Sequence, residues 1–159
     1  MEKRFNRSIK LLLIIYLILL VNFTLLDGTY GRDISNVLTW NANSFAEYAE
    51  TSLNIIPLAT IKLMVNGLIS GALDIKYFLS NLLGNLILLM PLAYFFPKIF
   101  PRLNRAFPFF AVICSVALGI EVLQLAFLTG SCDIDDFLLN VVGAMLVFPV
   151  FKKYISNGE

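Results

Sequence analysis

From Leu11 to Leu26 the chain carries no charged residue, and from Tyr77 to Pro97 it carries none either. A bilayer core about 30 Å thick is crossed by roughly 20 mostly apolar residues in a helix. Two further runs are of the same kind: residues 106–128 hold one charge, Glu121, and residues 137–151 hold none. The last covers only about 22 Å at 1.5 Å per residue, so to span it must draw Asp135 and Asp136 towards the membrane. The spacing predicts four spanning helices, over residues 9–26, 77–97, 106–128 and 133–151. The rest of the composition agrees. At 159 residues, 58% hydrophobic and 14% charged, a soluble domain would lack the polar surface to cover its core. An all-α membrane protein of one domain, residues 1–159, is expected.

The charge balance excludes other classes. A net charge of +1 does not suit a nucleic-acid binder, which shows a strongly basic face. The chain has no His, which removes imidazole acid–base catalysis, Ser-His-Asp triads and His-ligated zinc.

Basic residues sort to one side. Lys3, Arg4, Arg7 and Lys10 precede the first run, Lys98, Arg102 and Arg105 separate the second from the third, and Lys152 and Lys153 follow the fourth. Residues 129–136 contain Asp133, Asp135 and Asp136 and no base. The positive-inside rule then predicts a multi-pass membrane protein with both termini in the cytoplasm. A cleaved signal peptide would also start with basic residues, but no small-x-small pattern follows the first run, so a retained helix is expected.

Residues 27–76 form the predicted outer loop, with a short helix near Ser44–Thr51. Its later part, residues 53–73, is largely apolar, with Lys62 as its one charge and Pro57, Gly67 and Gly71 as breakers. A fifth crossing there would invert the charge bias downstream. An interfacial or re-entrant segment on the outer face is expected instead, covered by protein or lining a cavity.

Polar groups at membrane depth are costly, so their positions are informative. Asn81 and Asn85 share a helix face, as do Glu121 and Gln124. Asp133, Asp136, Asn140 and Gly143 follow a 3-4-3 spacing that predicts one stripe, with Asp135 pointing elsewhere. All three stripes fall in the outer half of the membrane, where they would converge on a water-accessible pocket. The plain alternative is that the amides only bond between helices, worth about 0.6 kcal/mol on average, and that the glycines permit close packing. Cys114 and Cys132 are separated by most of a membrane helix and are expected not to pair. The aromatics around the 97–106 turn (Phe95, Phe96, Phe100, Phe107, Phe109, Phe110) read as an interfacial belt. Trp40 and Tyr48 would either touch the membrane surface or cover the pocket.

Three blocks occur together: Ser52-Leu53-Asn54 with Pro57 and Thr60; Asn81-x-x-x-Asn85 before Met90-Pro91-Leu92; and Glu121-x-x-Gln124 before Gly130, Asp133-Ile134, Asp136, Asn140 and Gly143. In order and spacing they resemble the VanZ-like family of small bacterial membrane proteins, from about Ser52 to Leu146. The resemblance implies a link to glycopeptide resistance, since the founding member is associated with low-level resistance to teicoplanin. Many members carry an Arg shortly before the first Asp of the last block, where this chain has Ser131 and Cys132. That removes the ground for carrying over an anion-binding role. Ala93 and Val147 stand where Gly is frequent.

Three functions remain open at this point. The first is an envelope protein binding a cell-wall precursor, a lipid or a glycopeptide in an outward pocket formed by Asn54, Asn81, Asn85, Glu121, Gln124, Asp133, Asp136 and Asn140. The second is an intramembrane hydrolase or phosphoryl-transfer enzyme, with Glu121 and Asp136 as catalytic groups. There Glu121, Asp133 and Asp136 would offer oxygens to a divalent cation, the one cofactor this second function would need. The third is a scaffold for other envelope proteins.

Overall fold

A computed structural model describes residues 2–26 and 40–157; residues 27–39, the first part of the predicted outer loop, lie outside the described residues. Helix α1 runs over Glu2–Val21 and ends in a π-helical turn, Asn22–Leu26. Helix α2 (Ala42–Ser52) is followed by a two-residue strand, β1 (Leu53–Asn54), and by α3 (Ala59–Ile69). Helices α4 (Ile75–Leu88) and α5 (Leu92–Ile99) form one interrupted span. After a 3-10 turn come α6 (Ala106–Ala126), β2 (Cys132–Asp133) and α7 (Ile134–Asn157).

Among the described residues, four segments are long and apolar enough to cross a membrane: Arg7–Leu26, Ile75–Ile99, Ala106–Ala126 and Ile134–Ser156. Helix α3 has 11 residues, about 16 Å, too short to cross. The architecture is a helical bundle with one short apolar helix beside it. Much of the bundle's outer face is apolar and exposed, including Leu11, Ile18, Leu118 and Leu146, as lipid contact requires.

The core lies where α1, α5, α6 and α7 meet. Leu89, Leu92, Ala93, Phe109, Ile113, Ala117 and Ala144 are fully buried there, and Phe109 stacks on Phe148 with ring centroids 4.4 Å apart. Phe109 is thus a core residue and not part of the aromatic belt that its position beside the turn suggested. Phe107 and Phe100 do face outwards.

Pro91 breaks the second span. It has no N–H and cannot continue the helical ladder, and Leu92 donates to Leu89 O instead of Leu88 O. The freed Leu88 carbonyl accepts from the Tyr16 hydroxyl of α1. Removing that hydroxyl strands a carbonyl at membrane depth. Tyr16→Phe is therefore expected to lower stability by about 1 kcal/mol, measured by reversible unfolding in mixed micelles.

Gly143 permits a close contact between two helices. A Cβ there would lie 1.6 Å from the Leu86 carbonyl oxygen, so α4 and α7 touch backbone to side-chain-free backbone. That contact sits about one turn beyond Asn140 on the same face of α7, and it holds the polar faces of α4 and α7 opposite each other.

Candidate functional site

The polar cavity is assembled from several elements. Helix α4 contributes Ser80, Asn81, Gly84 and Asn85, α6 contributes Glu121 and Gln124, and α7 contributes Asp136 and Asn140. The end of the first span supplies Phe23 and Thr24, and the α6–β2 turn supplies Thr129, Gly130 and Ser131. The cavity is about 280 Å³ in volume. Exposed Tyr77, Ser80 and Ser131 mark its mouth, while Glu121, Gln124, Thr129 and Asn140 are buried in its wall. It sits at the end of the bundle away from the turn that carries Lys98, Arg102 and Arg105.

Each wall residue is held by a definite local structure. Gln124 donates from Nε2 to the Thr24 carbonyl oxygen at 3.0 Å, tying α6 to the π-helical turn. Glu121, 3% exposed, accepts from the Asp133 backbone N–H at 2.9 Å. Asn140 donates from its amide nitrogen to the Asp136 carbonyl oxygen at 2.9 Å. Helix α6 closes with the Thr129 N–H bonded to Gln124 O and the Leu128 N–H to Leu125 O, a Schellman arrangement with Leu128 at φ 56°. That turn folds Thr129 and Gly130 back over Gln124. Helix α2 brings Tyr48 to the cavity, whereas Trp40 packs on Phe45 and is exposed.

Two of the residues expected in the pocket lie elsewhere. Asn54 and Asp133 are partners in a parallel strand pair, Leu53 opposite Cys132 and Asn54 opposite Asp133. They line a second, mostly apolar cavity of about 300 Å³ with Cys114, Leu118, Cys132 and Phe137, on the other side of Glu121. Asp133 is not on the α7 stripe. Its Oδ1 accepts from the Asp135 N–H at 2.8 Å, capping the helix, and from Asn54 Nδ2 at 3.1 Å, while Oδ2 accepts from the Thr60 hydroxyl. The expected stripe shortens to Asp136, Asn140 and Gly143. Glu121, Asp133 and Asp136 therefore do not gather their carboxyls, and among the described residues no group of three His, Cys, Asp or Glu could hold a metal ion.

Asp135, which the spacing placed off the stripe, has a task of its own. It is 1% exposed, and its carboxylate accepts from the backbone N–H groups of Leu58, Thr60 and Ile61 at the start of α3. An anion at a helix N-terminus is favourable, and here α7 supplies it. Leu58 takes φ 66° to aim its N–H at that carboxylate, a conformation L-residues adopt only where the surroundings impose it. With Asn54 Nδ2 donating to Thr60 Oγ1 at 2.9 Å, this forms a latch that seats residues 53–61 on the bundle.

Cys114 and Cys132 are both free. Burial first, then the nearby carboxyls of Glu121 and Asp133, push the Cys132 thiol above its ordinary pKa. In a Cys114→Ser background, iodoacetamide is expected to label Cys132 slowly at neutral pH and faster as pH rises. Glu121→Gln removes one of the charges and should speed it at fixed pH. Labelling at the rate of a free thiol at neutral pH would contradict this.

The fold and cavity together define a multi-pass helical membrane protein with a polar, acid-bearing chamber lined by all four described spans. The chain belongs to the VanZ/LLP1 family, whose model matches residues 13–155. The match begins within α1 and takes in the later blocks. No curated protein and no solved structure matches the chain.

Proposed function

We propose that this is a protein of the bacterial cell envelope whose polar cavity binds a cell-wall precursor, a lipid or a glycopeptide, and thereby alters sensitivity to teicoplanin-type antibiotics. The observation that carries the reading is the cavity itself. Asn81, Asn85, Glu121, Gln124, Asp136 and Asn140 surround one space of about 280 Å³ that reaches the surface at one end of the bundle. The positive-inside rule supports the cytoplasmic membrane, with both termini in the cytoplasm and that end facing outwards, where cell-wall chemistry occurs. Membership of the VanZ/LLP1 family supports the link to glycopeptides, and most polar residues of the three sequence blocks line the cavity or form the latch beside it.

Isosteric variants test it. Glu121→Gln and Asp136→Asn keep size and hydrogen-bonding capacity but cannot ionise. Glycopeptide susceptibility is compared in cells with equal membrane levels of each variant. Both variants are expected to return susceptibility to that of cells lacking the protein. Wild-type behaviour from both would remove these carboxyls from the function.

A further inference from the structure

We infer that the polar cavity is a site for one neutral sugar ring, held by hydrogen bonds to its hydroxyl groups. The inference deepens the reading above and rests on it in taking this cavity as the ligand site. Glu121 and Asp136 have interactions within the protein, so their charge selects nothing here. The selection comes from the neutral groups of the wall.

Two of these are orphaned. Among the described residues, Asn140 Oδ1 and Thr129 Oγ1 are buried without a hydrogen-bond partner, on residues 1% and 3% exposed. Folded proteins rarely leave such atoms bare. The Asn140 amide nitrogen already donates to the Asp136 carbonyl oxygen, so its Oδ1 is left as an acceptor that calls for a donor. The Thr129 hydroxyl can take either role. Both residues line the same chamber of about 280 Å³.

Helix α4 adds the complementary need. Asn81 and Asn85 bring side-chain amides to the lining, each with N–H donors beside its oxygen, and Ser80 and Ser131 add hydroxyls at the mouth. A ligand with donors alone, such as an ammonium, serves Asn140 Oδ1 but gives the Asn81 and Asn85 N–H groups nothing to bond. A ligand with acceptors alone, such as a carboxylate, fails Asn140 Oδ1. A peptide amide has one donor and one acceptor, fixed on opposite sides of a plane. The groups to be served stand on α4, on α7 and on the α6–β2 turn. Hydroxyls donate and accept at once, and a sugar ring carries several of them in different directions. Tyr48 and Tyr77 in the lining add aromatic faces against which the C–H side of such a ring packs. The cavity is at the small end for organic ligands, a size that suits one ring and not a chain of them.

The test uses the purified full chain, extracted in a detergent without a sugar head, placed in phosphatidylcholine nanodiscs and unfolded thermally. Glucose, galactose and N-acetylglucosamine are titrated, and at least one is expected to raise the melting temperature saturably. A rise that does not saturate and is shared with sucrose is general exclusion from the protein surface and counts as no binding. Ethanolamine, acetate, N-acetylglycinamide and tetrahydropyran (the ring without its hydroxyls) should bind about tenfold or more weakly than that sugar. Asn140→Leu should weaken the sugar about tenfold. Should Asn140→Leu not fold, Thr129→Val removes the other orphaned atom and takes its place. Adding to the nanodisc a diacylglycerol glycoside of the sugar that binds separates the sources. A glycolipid head in the site would raise the starting melting temperature and abolish the response to the free sugar, whereas a soluble sugar would act alike with and without the glycolipid.

Either pattern supports the sugar site. No saturable shift with any of the three sugars, equal or tighter binding of ethanolamine, acetate, the peptide amide or the bare ring, or sugar binding unchanged in the folded variant would overturn it. If sugars fail to bind while cavity variants still alter glycopeptide susceptibility, the sugar assignment falls and the functional reading stands. If sugars bind while cavity variants leave susceptibility unaltered, the sugar site stands and the functional reading falls.

Discussion

Gly143→Ala should remove most of the folded protein from the membrane, although it adds one methyl group. The added Cβ would sit 1.6 Å from Leu86 O and 2.7 Å from the Leu86 carbonyl carbon, both backbone atoms that no rotamer change can move. Helices α4 and α7 would have to part, and with them the walls that carry Asn81, Asn85, Asp136 and Asn140. Overpacking typically costs about 1–3 kcal/mol, and a backbone clash of this depth should reach about 3 kcal/mol or more, a large share of total stability. Gly84→Ala and Gly119→Ala are the controls, since a Cβ at either position meets no atom within 4 Å. Monodisperse protein recovered on size-exclusion chromatography is the readout. Wild-type recovery of Gly143→Ala would show that the two helices do not pack this closely.

The second large effect is expected at Asp135. Three backbone N–H groups at the start of α3 converge on its carboxylate, which is almost fully buried. Asp135→Asn replaces one acceptor oxygen by a donor that faces those N–H groups. Hydrogen bonds to charged groups are worth about 1.5–3 kcal/mol, and stranded donors add to the loss. The expected result is local. Amide hydrogen exchange at Leu58, Thr60 and Ile61 should accelerate about tenfold or more while the spans keep their protection. Leu58 should leave its left-handed conformation once nothing holds it there. Unchanged exchange at those amides would contradict the latch.

The spans were legible because membrane length and lack of charge leave few alternatives, and Asn81/Asn85, Glu121/Gln124 and Asp136/Asn140 were legible because helical periodicity sets who shares a face. Where periodicity stops, legibility stops with it. Asp133 fits the stripe by spacing, yet an Asp just before a helix can equally turn its carboxylate onto the helix's own first N–H groups, and here it does. Asn54 follows Asp133 because they pair as strands, and such short pairings leave no periodic signal. Asp135 bonds only to backbone N–H groups of a segment far away in sequence, so no partner side chain announced it. Thr24, Thr129 and Ser131 reach the cavity through a π-helical end and a Schellman turn. A signal for the second existed in the polar Thr129-Gly130-Ser131 run directly after an apolar helix, the position of a C-terminal cap. Phe109 looked interfacial from its place beside the turn. Only the packing against Phe148 shows that it faces inwards.

Polar residues of the three sequence blocks divide accordingly into two groups. Asn54, Thr60 and Asp133 hold the outer segment in place, and Asn81, Asn85, Glu121, Gln124, Asp136 and Asn140 line the cavity. Glu121 belongs to both, since its carboxyl accepts from the Asp133 backbone while its side chain walls the chamber. A change at Glu121 therefore disturbs structure and chemistry together, which makes it a poor sole test of either.

Filling the cavity without touching any polar group tests the central claim most directly. Gly84 lies in the cavity wall on α4, and a Cβ built there meets nothing within 4 Å. Gly84→Leu should fold, reach the membrane at wild-type level, and occupy the space the ligand needs. Glycopeptide susceptibility is then measured in cells matched for protein level, beside Gly84→Ala, which leaves most of the space open. A functional chamber predicts wild-type behaviour for Gly84→Ala and, for Gly84→Leu, the susceptibility of cells lacking the protein. Wild-type susceptibility from folded Gly84→Leu would contradict it, because a filled chamber could not then be where the protein acts.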